Sequence, residues 1–250
     1  MDLGIDGRVA LVMGASKGLG KGVAAALAAE GATVAIASRS RERLDATVEG
    51  LEGEVTAFVA DAGDLDRLAA LPAEVEAELG PIDILVANTG GPPRGLALDN
   101  SIAEWEEAYR SLVLGLRVLV GAVVPSMRDR GWGRIVNIGS SSTVEPIPSL
   151  TLSNANRLAA IGFLKTLARE VAVDGITVNT IATGKFGTDR LAEHEGSLEI
   201  AERNARETVP AGRLGTPEEF GDLVAFLASD RAAYISGATI PIDGALLRSV

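Results

Sequence analysis

The sequence predicts an α/β fold: a doubly wound, Rossmann-like parallel sheet of about seven strands with helices on both faces. Three observations predict it. Short β-branched apolar runs alternate with longer helical stretches along the whole chain. The strands are apolar on both sides, as strands covered on both faces are. The first strand also runs into a glycine-rich turn, "GASKGLG", that opens a helix.

Taken in order, 8–13 ("RVALVM") reads as a strand, 19–31 as a helix closed by Gly31, and 33–38 ("TVAIAS") as the second strand. A helix over 41–51 and a strand over 55–60 follow. The next helix, 64–79, opens on Asp64 and Asp66, whose charge suits a helix start better than a metal site. Strand 82–87, a helix of about 102–130, strand 134–139, helix 153–173 and strand 176–182 come next. Helix 217–229 and strand 238–242 finish the pattern. No linker, low-complexity run or composition shift divides 1–250, so it reads as one NAD(P)-binding Rossmann domain. The charged segment 189–210, ending at Pro210, reads as an excursion that covers the substrate side.

Composition narrows the function. The 250 residues are 47% hydrophobic, enough for a full core. The net charge of −11, with no basic cluster, argues against nucleic acid and anionic membrane surfaces. Glu30, Arg117 and Arg169 interrupt the apolar stretches short of a membrane span. With no cysteine and one histidine, His194, thiolate and Cys/His metal chemistry are excluded and no metal centre is expected. The opening "MDLGIDG" lacks a signal-peptide pattern, and a cytoplasmic protein is expected.

The loop spacing Gly14, Gly18, Gly20 lets the backbone turn tightly and approach a pyrophosphate seated on the helix N-terminus. Ser16, Lys17 and Leu19 lie within the same loop. After the second strand an acid would hold the ribose 2′-hydroxyl of NAD(H). Here stand Ser38 and Arg39, with Lys17 as a second cation, a set suited to a phosphate monoester. NADP(H) is therefore expected in preference to NAD(H).

These residues resemble the short-chain dehydrogenase/reductase family over nearly the whole chain, closest to the 3-oxoacyl-carrier-protein reductases. "VADAGD" resembles the adenine-contacting segment at Asp61 and Ala62; "DILVANTG" retains Asn88 and Gly90; "RIVNIGS" ends at Ser140, matching the family's catalytic serine. "ATGKFGT" resembles the segment covering the nicotinamide, with Gly184, Phe186 and Thr188. "PAGRLGTPEEF" and "YISGATIPIDG" resemble its C-terminal signatures. The resemblance implies hydride exchange between a nicotinamide cofactor and a small carbonyl or hydroxyl substrate.

The departures fall on the chemistry. The family's tyrosine position falls on Ser153, its lysine on Arg157 and its asparagine on Leu112, so Ser140 alone survives of the tetrad. Met13 and Thr183 replace a threonine and a proline beside the cofactor segments. A serine hydroxyl is a weak acid that stops roughly 4 Å short of a tyrosine oxygen, and arginine cannot relay a proton. Losing a general acid costs about 10²–10⁴ in rate. A fixed guanidinium beside a developing alkoxide would offset a comparable amount, about 3–4 kcal/mol. Ser140, Ser153 and Arg157 are thus the candidate catalytic residues of an atypical reductase acting on a 3-oxoacyl-like or anionic substrate. A weak or inactive nucleotide-binding scaffold and non-redox chemistry on the same fold are the alternatives.

Arg94 in "GGPPRG", together with Arg157 and Lys185, would attract an anionic substrate if it faced the site; a solvated loop charge is the plainer reading. His194 reads as an ordinary polar residue of the cover. The stretches 111–125 and 158–171 are apolar on more than one face and need a second cover. The family resemblance implies that they form a homodimer or homotetramer contact, with Ala160 on that face.

Overall fold

A computed structural model describes residues 1–249. Seven strands form one parallel sheet among the described residues: β1 (Val9–Met13), β2 (Thr33–Ser38), β3 (Val55–Val59), β4 (Ile82–Ala87), β5 (Gly133–Ile138), β6 (Ile176–Thr183) and β7 (Thr239–Ile242). The order is β3-β2-β1-β4-β5-β6-β7, so the chain reverses direction across the sheet between β1 and β4. In register, Val12 of β1 faces Ile36 of β2 and Val86 of β4, and Val86 faces Val136 of β5. All four side chains are buried, as strands sandwiched between helices require.

One face is covered by α1 (Gly18–Ala29), α2 (Arg41–Glu49) and α9 (Pro217–Leu227), which pack Val23, Leu27, Leu44, Phe220 and Val224 against it. The other is covered by α3 (Leu65–Leu79), α5 (Gly115–Arg130) and α6 (Thr151–Val171). Helix starts carry the caps their sequences encode. Asp64 accepts from the Arg67 N–H ahead of α3, and Thr216 with Glu219 forms a capping box around Pro217.

The long helix expected over 102–130 is α4 (Ile102–Tyr109) and α5 joined by a π-helical turn at Arg110–Leu114. It runs unbroken from Ile102 to Arg130, 29 residues, long and apolar enough by length and composition to cross a membrane, so Arg117 does not shorten it as expected. Its apolar side chains Leu112, Leu116, Leu119, Val123 and Met127 are buried in the protein's own core. Helix α6 begins at Thr151, two residues before the expected Ser153, and buries Leu152, Asn156, Ala160, Leu164 and Ala168 at helical spacing. Ala160 therefore belongs to the core face, not to an outer contact face; Leu158 and Ala159 are the exposed neighbours. The segment 189–210 folds as α7 (Asp189–Glu195) and α8 (Leu198–Thr208) around a small core of Ala201, Ala205, Val209 and Leu214.

Candidate active site

In a doubly wound sheet, ligands bind outside the carboxyl ends of the strands where the strand order reverses. Here that edge is built from Met13, Ala87, Ile138 and Thr183, the last residues of β1, β4, β5 and β6. Two adjoining clefts open over it.

The first, about 680 Å³, is lined by Gly14, Ser16, Lys17, Gly18 and Leu19 of the loop. Ser38, Arg39, Asp61, Ala62, Asn88 and Gly90 complete its wall. Gly14 and Gly18 adopt positive φ, where a side chain would be strained. No side chain caps α1, which leaves its first N–H groups toward the cleft. Gly20, expected among the contact residues, is buried behind the loop. A Cβ there would fall inside van der Waals contact of the Gly14 carbonyl, so Gly20 closes the turn and does not line the cleft. Lys17 does not stand free beside Arg39 as expected: its ammonium reaches Asp189 at 3.4 Å and Glu193 at 3.6 Å on α7. Arg43, in the first turn of α2, lines the cleft and was not anticipated. Neither Arg39 nor Arg43 has a carboxylate within 4.0 Å among the described residues.

The second cleft, about 310 Å³, is lined by Ser140, Ser153, Arg157, Thr183 and Gly184, and by Arg94, Arg190 and His194. It shares Asn88, Thr89, Gly91, Thr188 and Arg190 with the first. Ser140 follows β5, and its hydroxyl accepts from the Ser142 N–H at 3.1 Å. Ser153 and Arg157 lie one turn apart on α6. Arg157 Nε donates to Ser153 Oγ at 3.2 Å, and its Nη1 donates to the Ile138 carbonyl at 2.9 Å. Two of its five N–H groups are thereby engaged and the fork is fixed. Burial, and then the positive charge of Arg190, lowers the Arg157 pKa to about 10, still charged at neutral pH. Leu112 sits in the π-helical turn and, with Asn137, lines the small space beneath Arg157.

Two buried hydroxyls at these clefts, Ser38 Oγ and Thr183 Oγ1, have no hydrogen-bond partner among the described residues. Unpartnered buried hydroxyls, positive-φ glycines and an uncapped helix start together fit a phosphate-bearing ligand with polar ends. Phe186, expected at the cofactor, turns its ring into the core edge-on to Phe220 at 5.3 Å and serves as wall. Thr188 caps α7. Lys185 is tied to Glu195 at 3.1 Å and to Thr208 at 3.4 Å, so it is not the free cation expected.

Besides Arg43, sequence reasoning missed Arg190 and set His194 aside as an ordinary polar residue of the cover. Arg190 lies over Gly91, where a Cβ would collide with its guanidinium, and it spans both clefts. Burial and the nearby Arg94 lower its pKa, while Glu193 raises it. His194 lines the second cleft, with its pKa lowered by burial and then by Arg190 and Arg94. The one signal for this placement was Thr188, a cap that starts a helix just beyond the strand edge.

A seven-stranded parallel sheet with a glycine loop at its reversal point and a polar cleft beside it defines a dinucleotide-binding α/β protein of the Rossmann type. Residues 14–246 match the family described as enoyl-(acyl carrier protein) reductase, and the chain belongs to the short-chain dehydrogenase/reductase family. It is 36% identical over 243 residues to nodulation protein G of Azospirillum brasilense, covering 96% of this chain and 98% of that protein. It is 35% identical over 246 residues to the 3-oxoacyl-[acyl-carrier-protein] reductase FabG of Thermotoga maritima, covering 97% and 99%. The fold matches L-sorbose reductase from Gluconobacter frateurii, solved with NADPH and L-sorbose. That match has a TM-score of 0.93 and 31% identity, and spans all of both chains.

Proposed function

We propose that the protein is an NADP(H)-dependent oxidoreductase that interconverts a carbonyl and a hydroxyl group, with Arg157 in place of a tyrosine at the reacting oxygen. A dinucleotide held by the glycine loop, Ser38 and Arg39 would supply hydride to the carbonyl carbon, or accept it in the reverse direction. Arg157 carries the reading. Its Nε and Nη1 are fixed by Ser153 and the Ile138 carbonyl, and Nη2 remains for an oxygen in the cleft. A preorganised donor of this kind is worth about 3–4 kcal/mol to a developing alkoxide. Ser140 adds a hydroxyl from the end of β5. The proton that completes the alcohol comes from water or from the substrate, because neither Ser153 nor Arg157 is an effective acid near neutral pH.

Arg39, Arg43 and Ser38 favour the 2′-phosphate of NADP(H), and the similar sorbose reductase was solved with NADPH. The α7–α8 segment, which lines the second cleft through Arg190 and His194, serves as the substrate cover. Exposed apolar residues on the long helices, Ile102, Tyr109 and Leu158, support a homodimer or homotetramer.

Loss of the tyrosine, lysine and asparagine positions favours one competing reading, a nucleotide-binding scaffold without turnover. NADPH oxidation across a carbonyl panel separates the two. The oxidoreductase reading expects turnover that falls about 10²–10³-fold in Arg157→Met. Full activity in that variant overturns the oxyanion role. No parent turnover, with activity appearing in Ser153→Tyr/Arg157→Lys, would show a competent fold that lacks only its proton donor.

A further inference from the structure

The chain carries a net charge of −11, yet the second cleft gathers positive charge. Arg94 comes from the stiff 90–95 loop, Arg157 from α6 and Arg190 from the first turn of α7. The acid in the cleft wall, Glu195, is already engaged by Lys185 at 3.1 Å and by Asn204 Nδ2 at 2.7 Å. Among the described residues no carboxylate lies within 4.0 Å of Arg94, Arg157 or Arg190.

Holding such charges together is costly unless something offsets it. Arg190 sits in the first turn of α7, the end where a helix disfavours a cation. Burial and then Arg190 lower the pKa of Arg157, and burial lowers that of Arg190, with Glu193 opposing and Arg94 adding to the shift. The fold nonetheless makes room for this arrangement. Gly91 lacks the Cβ that would push the Arg190 guanidinium away. Glu193 answers part of the Arg190 charge without touching it, and guanidinium groups clustered with no carboxylate in contact suit a planar, bidentate anion.

We propose that Arg190, aided by Arg94, clamps a carboxylate of the substrate, while Arg157 meets its carbonyl oxygen; the substrate class is the small oxoacids and hydroxyacids. The carbonyl part rests on the oxidoreductase reading above, whereas the carboxylate site stands without it. Arg190 is a specificity residue in this scheme, and Gly91 positions it. Thr188 fixes the start of α7, so the clamp is carried by the segment that covers the cleft.

The test uses the whole protein loaded with NADP⁺ and titrated with malonate by calorimetry, against Arg190→Gln and Gly91→Ala, each first shown to be folded by its thermal transition. Gly91→Ala keeps every charge and only displaces Arg190. Malonate binding should weaken at least tenfold in both variants, a loss of about 1.4 kcal/mol. Kinetics add a second arm: in Arg190→Gln the kcat/KM for acetoacetate should fall at least tenfold more than that for methyl acetoacetate. Parent protein that does not bind malonate, or variants that bind it equally, overturn the clamp. Inorganic phosphate binding more tightly than malonate at the same site overturns the carboxylate assignment. Malonate bound through Arg190 with no NADPH oxidation on any carbonyl upholds the clamp and defeats the oxidoreductase reading. Turnover of the neutral ester with acetoacetate unaffected in Arg190→Gln does the reverse.

Discussion

The two halves of the cleft are built on different principles. The nucleotide half, from β1 through α1 to β2, is made largely of backbone: positive-φ glycines, an uncapped helix start, and close approach at Gly20. The chemistry half, from β5 through α6 to α7, is made of side chains on ordinary helical and loop positions. Backbone constraints cannot be exchanged one residue at a time, because the turn fails without its glycines. Side chains on α6 can be, since a serine and an arginine at 153 and 157 complete the same helix that a tyrosine and a lysine would. This is why the family pattern persists around the dinucleotide and lapses at the reaction.

The largest test of this contrast is Gly20→Ala. Its methyl would meet the Gly14 carbonyl, a backbone atom that cannot rotate away. Overpacking of this kind costs roughly 1–3 kcal/mol, and borne by the loop it should weaken NADPH binding by up to about 100-fold. Calorimetry at constant salt measures it; unchanged affinity would show that the loop is not backbone-limited.

Next in size is Arg39→Asp, which reverses a charge in the wall of the first cleft. NADPH affinity should drop by about 10–100-fold, the size of a lost charge-assisted contact. NADH affinity should change little or improve. A parent protein that binds both cofactors equally would sink the NADP(H) preference before the variant is made.

How much of this was legible beforehand divides along the same line. Every strand followed from hydrophobic periodicity, since parallel strands buried on both faces leave a strong signal, whereas α7 and α8 within 189–210 were not expected as helices. The glycine loop was legible because its residue types are dictated by backbone geometry. Arg190 was not: α7 is charged at most positions, and which charge faces the cleft depends on how the helix docks. The π-helical turn was hidden too, because one extra residue in a long apolar helix leaves no mark in composition. Ala160 was misplaced for a related reason, as an apolar residue on a helix does not say which neighbour buries it.

A third prediction uses Arg157 to separate stability from activity. Its pKa is lowered to about 10 by burial and then by Arg190, so the native state releases this proton more readily than the unfolded chain. The penalty is fully present below pH 10 and is relieved as pH rises toward the ordinary arginine value, where the unfolded chain holds more protons. Arg157→Met should remove the penalty at neutral pH at the expense of two hydrogen bonds. A net gain of about 1 kcal/mol would raise Tm by about 2–4 °C while turnover falls. In the parent, kcat should stay flat from pH 6 to about 9, because no group with a tyrosine–lysine couple's titration is present. A sigmoid centred near neutrality would mean that another acid donates the proton.

The smallest expected effect is the sharpest control. Lys185 stands beside the same cleft as Arg190, and removing either subtracts one positive charge. Lys185 is already bound to Glu195 and Thr208, so its charge is largely answered within the protein. The pair is largely covered and keeps Lys185 from reaching a ligand, so Lys185→Gln should shift KM for acetoacetate by less than about fivefold, or about 1 kcal/mol. Freeing Glu195 works in the same unfavourable direction, which makes this an upper bound on what the lysine itself contributes. If Lys185→Gln weakened the acid as strongly as Arg190→Gln, the cleft would be attracting anions through its summed field, and salt would abolish the preference. If only Arg190→Gln does so, and salt leaves the preference largely intact, recognition resides in the geometry of one fork held over Gly91.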